Sequence, residues 1–253
     1  VGPLIGGYLD AIFGWQAGFW LTFAFGIAAF LIVLFDLPET NRRRSESLAA
    51  QFRAYPTLLG SMLFWCYALT AAFATGAFFA FIGGGPYVAT EMLHLSPSQY
   101  GLYFGVISVG YMLGNFLSGR FARRIGINRM MLSGNLVACF GMILAIVLFK
   151  AGLYHPLSLF GPMFFAGLGN GLTLPSANAG IVSVKPHLAG SASGLGGALQ
   201  IGGGAALSVF SVALITPDSG PFPLLWLMFL SAAAAGLTTL VLIYRERGTG
   251  PGR

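Results

Sequence analysis

Long apolar stretches alternate with short polar ones along nearly the whole chain. Seven of these stretches contain no Asp, Glu, Lys, Arg or His, and each has about the 20 residues that a helix needs to cross a bilayer. They run approximately over residues 15–35, 61–82, 100–118, 130–149, 156–175, 191–214 and 222–244. The pattern therefore predicts an all-α fold, a polytopic bundle of transmembrane helices.

Composition and residue pattern exclude two other classes of protein, a large soluble enzyme and a transmembrane β-barrel. Of the 253 residues, 56% are hydrophobic and 8% are charged, whereas a soluble domain carries about 25% charged residues. Buried helices of a soluble enzyme would show polar stripes at helical spacing, and strands of a membrane barrel would alternate apolar with polar residues. Neither pattern is present, so we expect an integral, multi-pass membrane protein.

The basic residues predict an orientation. If the loop after the first span is cytoplasmic, strict alternation of the spans places every Lys and Arg except Lys150 on the cytoplasmic side, as the positive-inside rule expects. The carboxy terminus is then cytoplasmic, and the net charge of +6 is a signal of topology. A nucleic-acid partner is not expected, because the arginines are spread over separate loops.

One long polar interruption divides the chain. Residues 36–56 are predicted as a central cytoplasmic loop, residues 1–35 as the end of an amino-terminal bundle, and residues 57–253 as a carboxy-terminal six-helix bundle. Six spans after a long loop are typical of one half of a two-fold repeated transporter. The opening "VGPLIGGYLD" has the composition of the last part of a further helix, and we expect the chain to be an amino-terminally truncated fragment.

Five segments carry a resemblance to a known family. "GPLIGG" resembles part of the glycine-proline motif in the fifth helix of proton-driven drug antiporters of the major facilitator superfamily. The segment "FGWQAGFWLTFAFGIAAFLIVLFDLPET" is similar to the sixth helix of its bicyclomycin-resistance (Bcr/CflA) members. Three others, "GPYVATEMLHLSPSQYGLYFGV", "GNFLSGRFARRIG" and "AGSASGLGGALQIGGGA", resemble later segments of that family in the same order. The resemblance implies a twelve-helix fold in a bacterial inner membrane, with the first four helices and part of the fifth outside this chain.

Several small and basic residues are candidates for gating or packing. Pro3 removes a backbone donor, and the glycines beside it allow close approach of a neighbouring helix; the resemblance implies that this helix seals the outward side against proton leak, and generic packing is the alternative. The arginines after the third span are interpreted either as a cytoplasmic latch or as simple positive-inside anchors. Ser118 and Gly119 stand where the family's motif has an acidic residue. The full candidate set is Gly2, Pro3, Gly6, Gly7, Gly114, Arg120, Arg123, Arg124, Gly190 and Gly194.

Substrate contacts are expected from aromatic and amide groups, because the spans contain no charge. Aromatic faces hold flat, hydrophobic or cationic molecules without tight geometry, and a lone amide in lipid is costly unless it faces a partner or a wet cavity. Core packing is the alternative for each aromatic residue. The candidate substrate-binding residues are Tyr67, Thr70, Phe78, Phe81, Tyr111, Asn170 and Gln200.

The sequence thus predicts proton-coupled efflux of small hydrophobic drugs. The expected partners are a drug-like molecule, protons, the lipid bilayer and the missing amino-terminal helices, and the proton-carrying acid is expected on those helices, because every Asp and Glu here lies in a loop or at a helix edge. Two alternatives stay open: a metabolite transporter, with a more polar cavity, and a non-transporting structural subunit. An enzyme, a metal site and a cofactor are not expected, because His94, His155 and His187 lie in separate loops.

Overall fold

The computed structural model describes residues 2–36, 55–216 and 219–248, and every element in these ranges is helical. A π-helical segment, Val88–Met92, continues the third helix, and a 3-10 turn, Pro186–Leu188, precedes the seventh. The helices are α1 (Gly2–Phe13), α2 (Gln16–Asp36), α3 (Met62–Tyr87), α4 (Pro97–Ile125), α5 (Ile127–Lys150), α6 (Pro156–Ser183), α7 (Ala189–Leu214) and α8 (Phe222–Gly248).

Seven of these helices, α2 to α8, are long and apolar enough to cross a membrane. The predicted transmembrane bundle is therefore confirmed, and each predicted span overlaps one helix. Several helices are longer than the apolar stretch from which they were predicted. In lipid, the backbone N–H and C=O groups are hydrogen-bonded only if the helix continues. The predicted central loop, 36–56, lies almost entirely outside the described residues.

The position of the arginines that follow the third span differs from the prediction. Arg120, Arg123 and Arg124 were expected in a loop, but they lie in the last turns of α4. The connection to α5 is reduced to Gly126, whose φ of +90° is a conformation that favours glycine. A helix can continue through this polar segment because its charged side chains point into solvent or headgroups, so charge alone does not mark its end.

Polar residues mark the starts of three helices. The Ser61 side chain accepts a hydrogen bond from the Phe64 amide at the start of α3. Ser96 and Gln99 form a reciprocal capping box before α4, and His155 caps α6 through the Leu157 amide. Each cap satisfies backbone donors that the first turn of a helix leaves without partners, so these starts are encoded locally.

Two helices form the centre of the α3–α8 bundle. The most apolar windows of α3 and α6 are 67% and 61% buried, against 11% for α7. α6 packs against α4, α5 and α3, while α3 packs against α7 and α8. Among the outer helices, α5 and α8 also pack directly against each other.

Glycines let α6 approach α4 and α5 at backbone distance. A Cβ built on Gly114 of α4 would lie 2.9 Å from the Cα of Gly171 on α6, and Gly110 and Gly167 meet the facing backbone in the same way. On the other side of α6, a Cβ on Gly169 would lie 2.8 Å from the Cβ of Ala138 on α5. Small residues of this kind allow close packing where lipid supplies little hydrophobic drive. Gly114 thus has a packing role in this bundle.

The glycines of α7 divide into two groups. Gly196 and Gly204 face the bundle, where an added Cβ would lie 3.0 Å from Ile181 and from Phe79 respectively. Gly190 and Gly194 have no described atom within 4 Å of a built Cβ. They pack against no described helix, and a close helix crossing at these two residues stays a prediction.

The first two helices lie at the edge of the bundle. α1 packs against α4 and against α2, and it carries Gly2, Pro3, Gly6 and Gly7. A Cβ built on Gly6 would meet no described atom within 4 Å. No residue of α2 is buried, although the helix is strongly apolar.

We expect Gly171→Ala and Gly119→Ala to change stability in opposite directions. A Cβ on Gly171 would lie 2.7 Å from the Asn115 backbone nitrogen, whereas one on Gly119 would meet no described atom within 4 Å. Overpacking costs about 1–3 kcal/mol, while alanine gains about 1 kcal/mol over glycine in an open helix position. Thermal unfolding in detergent should show a lower Tm for Gly171→Ala and an equal or higher Tm for Gly119→Ala. Equal losses at both positions would contradict this account of the α4–α6 contact.

Candidate functional site

A cavity lies between α3, α4, α6 and α7. Its volume is about 470 Å³, and its lining residues fall near the middle of each of the four helices. Such a volume is within the range of sites that hold drug-sized molecules. The lining consists of Thr75, Phe78, Phe79, Phe104, Ile107, Ser108, Tyr111, Met112, Gly167, Asn170, Leu174, Gln200 and Ile201.

Four of the seven predicted substrate-binding residues line this cavity. Phe78 comes from α3, Tyr111 from α4, Asn170 from α6 and Gln200 from α7, so each of the four helices contributes one. The tertiary structure thus brings together residues that are up to 122 positions apart, since Phe78 and Gln200 face the same space.

Gln200 has a polar partner inside the cavity. Its Nε2 donates to the Thr75 Oγ1 at 2.7 Å, a contact between α7 and α3. An unpaired amide in lipid is costly, and the pairing removes part of that cost while leaving the Gln200 side chain partly exposed to the cavity. The bond joins α7 to α3 at one side of the cavity.

Aromatic rings form one wall. The ring centroids of Phe78 and Phe104 are 6.1 Å apart, and those of Phe81 and Phe104 are 6.2 Å apart. Phe81 is fully buried and lies behind this wall, where it lines a second, much smaller cavity of about 10 Å³ together with Phe78 and Asn170. Phe81 therefore supports the wall and does not face the main cavity.

Tyr67 lies away from the cavity, near the end of the bundle that carries Arg120, Arg123 and Arg124, here called the arginine end. Its hydroxyl donates to Asn128 Oδ1 at 2.9 Å, and Asn128 Nδ2 donates to the Glu246 carboxylate. The contacts join the beginnings of α3 and α5 to the end of α8. Tyr67 is buried against Gly180 of α6, so its position is that of a packing residue.

Thr70 belongs to a hydrogen-bonded network in the core. Its hydroxyl is 2.8 Å from the Thr238 hydroxyl and 3.2 Å from the Thr239 hydroxyl. Asn135 donates to Thr239 at 3.1 Å, and Thr173 donates to Asn135 Oδ1 at 3.3 Å. The network links α3, α8, α5 and α6 without a charged group. Hydrogen bonds between hydroxyl and amide side chains of this kind stabilise the association of transmembrane helices.

Asn170 differs from the other buried amide. Only 7% of the residue is exposed, and its side-chain amide has no hydrogen-bond partner within the described ranges, whereas the Asn135 amide is bonded on both sides. The amide keeps access to the cavity space, because the described ranges contain no fully enclosed side-chain nitrogen or oxygen without a hydrogen-bond partner. The Asn170 amide opens onto both cavities, so its hydrogen-bonding capacity is directed at their contents.

The arginine cluster makes no ion pair within the part of the chain that the structure describes. Arg120, Arg123 and Arg124 are exposed at the end of α4, where cations interact favourably with the carbonyl end of a helix. The helix ends are joined there by the Tyr67–Asn128–Glu246 contacts. Both interpretations of the arginines, as a latch and as anchors, stay open.

Sequence reasoning missed the other nine lining residues. On α4, Phe104, Ile107 and Ser108 precede Tyr111 at helical spacing and share its face, so the periodicity could have identified them once Tyr111 was chosen. Thr75 could have been sought as a partner for Gln200 but was hidden among many Ala and Phe residues. Nothing in the sequence distinguished the inward face of α7 at Ile201.

The lining of the main cavity contains no charged residue. Among the residues of the described ranges, no group of three His, Cys, Asp or Glu side chains could hold a metal ion. The chemistry that the cavity offers is therefore aromatic and aliphatic contact, with a few amide and hydroxyl groups that orient a bound molecule.

Comparison with known proteins agrees with this architecture. The family model of the Major Facilitator Superfamily matches residues 1–206. The chain is 27% identical to a bicyclomycin resistance protein homolog of Haemophilus influenzae, over 87% of this chain and 56% of that protein. It is 24% identical to a chloramphenicol resistance protein of Pseudomonas aeruginosa, over 99% of this chain and 59% of that protein.

A third relative has higher identity over a shorter region. The multidrug transporter MdfA of Edwardsiella piscicida is 31% identical over 72% of this chain and 44% of that protein. The chain thus spans about half the length of the curated relatives it matches. These findings confirm the resemblance that the five motifs predicted. With its seven membrane-length helices, the chain belongs to the Major Facilitator Superfamily and is an integral membrane protein similar to the drug-resistance transporters of that family.

Proposed function

We propose that the chain supplies the carboxy-terminal six-helix bundle of a bacterial exporter that expels small, largely apolar drugs in exchange for protons. The observation that carries this proposal is the cavity of about 470 Å³ at the middle of α3, α4, α6 and α7. Its aromatic wall and uncharged polar groups suit molecules recognised by area and a few hydrogen bonds. Three relatives named for bicyclomycin resistance, chloramphenicol resistance and multidrug transport support the same substrate class.

The low polarity of the cavity favours drugs over metabolites. Sugars and amino acids carry many hydroxyl or charged groups, and each would need a partner when it leaves water. The lining offers two amides, Asn170 and Gln200, and three hydroxyls, and one amide is already paired with Thr75. A predominantly apolar molecule therefore fits the lining better.

Proton coupling is assigned to helices outside this bundle. A coupling acid must gain and lose a proton within the membrane, and no Asp or Glu lines the cavity. Alternating access also requires two bundles that rock about a central site. We therefore propose that residues 1–35 belong to an amino-terminal bundle, that residues 36–56 connect the two, and that residues 57–253 are the bundle described above.

Reconstitution tests the proposal. We expect the 253-residue chain in liposomes neither to transport chloramphenicol nor to dissipate a pH gradient. Co-expression with the amino-terminal half of the Haemophilus influenzae relative should give export that a protonophore abolishes. The reason is that the coupling acid and the second rocking bundle would then be present.

Two results would contradict the assignment of proton coupling to helices outside this bundle. Proton-driven transport by the chain alone would show that it is self-sufficient, for example as a dimer. Correct insertion of both halves with no export of any drug would instead favour the structural-subunit alternative.

A second prediction separates cavity residues from packing residues in the same co-expressed transporter. We expect Gln200→Ala to change the relative export of different drugs, because Gln200 faces the cavity. Tyr67→Phe should lower Tm without changing that ranking, because it removes only the hydroxyl, whose contacts with Asn128 and Glu246 lie outside the cavity lining and are worth about 1 kcal/mol each. Drug export and thermal unfolding are measured on both variants. A drug ranking altered by Tyr67→Phe and not by Gln200→Ala would reverse these roles.

The arginine asymmetry predicts the orientation in an inner membrane, with the arginine end cytoplasmic. Single cysteines at Ser45 and Arg123 should be shielded from a membrane-impermeant thiol reagent in intact cells, whereas one at Ser219 should react. Cys66 and Cys139, the free cysteines of the described ranges, are first replaced by alanine. Labelling of the first two positions from outside would overturn the orientation.

A further inference from the structure

The side-chain amide of Asn170 lies where a substrate could form a hydrogen bond with it. The residue lies at the middle of α6 and lines both the main cavity and the small cavity behind it. Within the described part of the chain its amide has no hydrogen-bond partner, although the residue is only 7% exposed. The amides of Gln200 and Asn135 are both bonded to neighbouring side chains. Asn170 is thus a buried polar group that faces open space.

The backbone around Asn170 is held on two sides. Gly171 meets α4, where an added Cβ would lie 2.7 Å from the Asn115 nitrogen, and Gly169 meets α5, where one would lie 2.9 Å from the Ala138 nitrogen. Neither glycine can shift without disrupting the contact between α6 and the adjacent helix. The Asn170 side chain therefore projects from a fixed point, which is the preorganisation that a selective binding group needs.

The surroundings of Asn170 strengthen a hydrogen bond and give a cation no counter-charge. Phe78 and Ile107 line both cavities beside it, and neither lining contains a charged residue. Apolar walls lower the local dielectric, which strengthens a hydrogen bond between Asn170 and a neutral group. A side-chain amide offers two donors and one acceptor, and another amide complements it.

We propose that Asn170 determines the specificity of the cavity for uncharged apolar molecules that carry a carboxamide. The Asn170 Nδ2 donates to the carbonyl oxygen of the ligand amide, and the Asn170 Oδ1 accepts from its N–H. The apolar body of the ligand lies against Phe78 and the other rings of the wall. The inference deepens the proposed function and rests on it in one respect, namely that the main cavity is the binding site.

A bound water is the competing explanation for the unpaired amide. The small cavity has a volume of about 10 Å³, close to what one water molecule occupies, and Asn135 also lines it. A water held there would satisfy Asn170 permanently and make it a structural residue. Its substitution would then weaken the bundle and the binding of every ligand alike.

Two probes and matched variants distinguish these explanations in the 253-residue chain, purified in lipid nanodiscs. Chloramphenicol is uncharged, aromatic and carries an amide; tetraphenylphosphonium is an aromatic cation without hydrogen-bonding groups. The test variant is Asn170→Leu, and Asn170→Gln retains the amide. The control is Asn115→Leu, because Asn115 bonds only to the Tyr111 carbonyl of its own helix and lies outside the cavity lining.

We expect Asn170→Leu to weaken chloramphenicol binding about tenfold and to leave tetraphenylphosphonium binding within about twofold. Asn170→Gln should recover part of the loss, and Asn115→Leu should change neither Kd. Thermal unfolding of each variant identifies any that fail to fold, in which case Asn170→Gln and Asn170→Ser carry the comparison between the two probes.

Three results would overturn the inference: an unchanged chloramphenicol Kd in Asn170→Leu, an equal loss for both probes, or no binding of either probe to the unmodified chain. Binding is read here without transport. A chain that binds chloramphenicol through Asn170 but supports no export with an amino-terminal half would contradict the proposed function and leave this assignment intact.

Discussion

The close backbone contact of α6 with its two neighbours is the constraint on which the rest of the structure depends. In lipid, helices gain little from hiding apolar side chains, so their association depends on tight packing and on hydrogen bonds between them. Gly167 and Gly171 bring α6 onto α4, and Gly169 brings it onto α5. The cavity lies beside these contacts, where α3, α4, α6 and α7 leave a gap between them.

The polar side chains inside the bundle differ in whether they have a hydrogen-bond partner. The network of Thr70, Thr239, Asn135 and Thr173 links four helices without a charged group. At the arginine end, Asn128 bonds to Tyr67 and to the Glu246 carboxylate, and these contacts join three helices. Thr75 and Gln200 border the cavity as a pair, and Asn170 alone among these faces it without a described partner. Asn170 is therefore the amide of this set whose hydrogen-bonding groups are left for the contents of the cavity.

The sequence determined the fold class, the number of spans and several helix ends. Apolar stretches of bilayer length leave the backbone no alternative to a helix, and Ser96 with Gln99 encodes the start of α4 locally. The end of α4 was misplaced, because Arg123 and Arg124 were taken to mark a loop although charged residues are stable on an exposed final turn. Gly126, with its positive φ, is the residue that ends the helix.

Only the tertiary structure decided which side chains share the cavity. One face of α3 carries Tyr67, Thr70, Phe78 and Phe81 at helical spacing. That face meets α5, α6 and α8 at different depths, so Phe78 alone of the four lines the main cavity. The sequence likewise identified Gln200 as a costly amide, whereas its pairing with Thr75 depends on how α7 crosses α3. The physical reason is that periodicity is a property of one helix, while a cavity is defined by the gap between several.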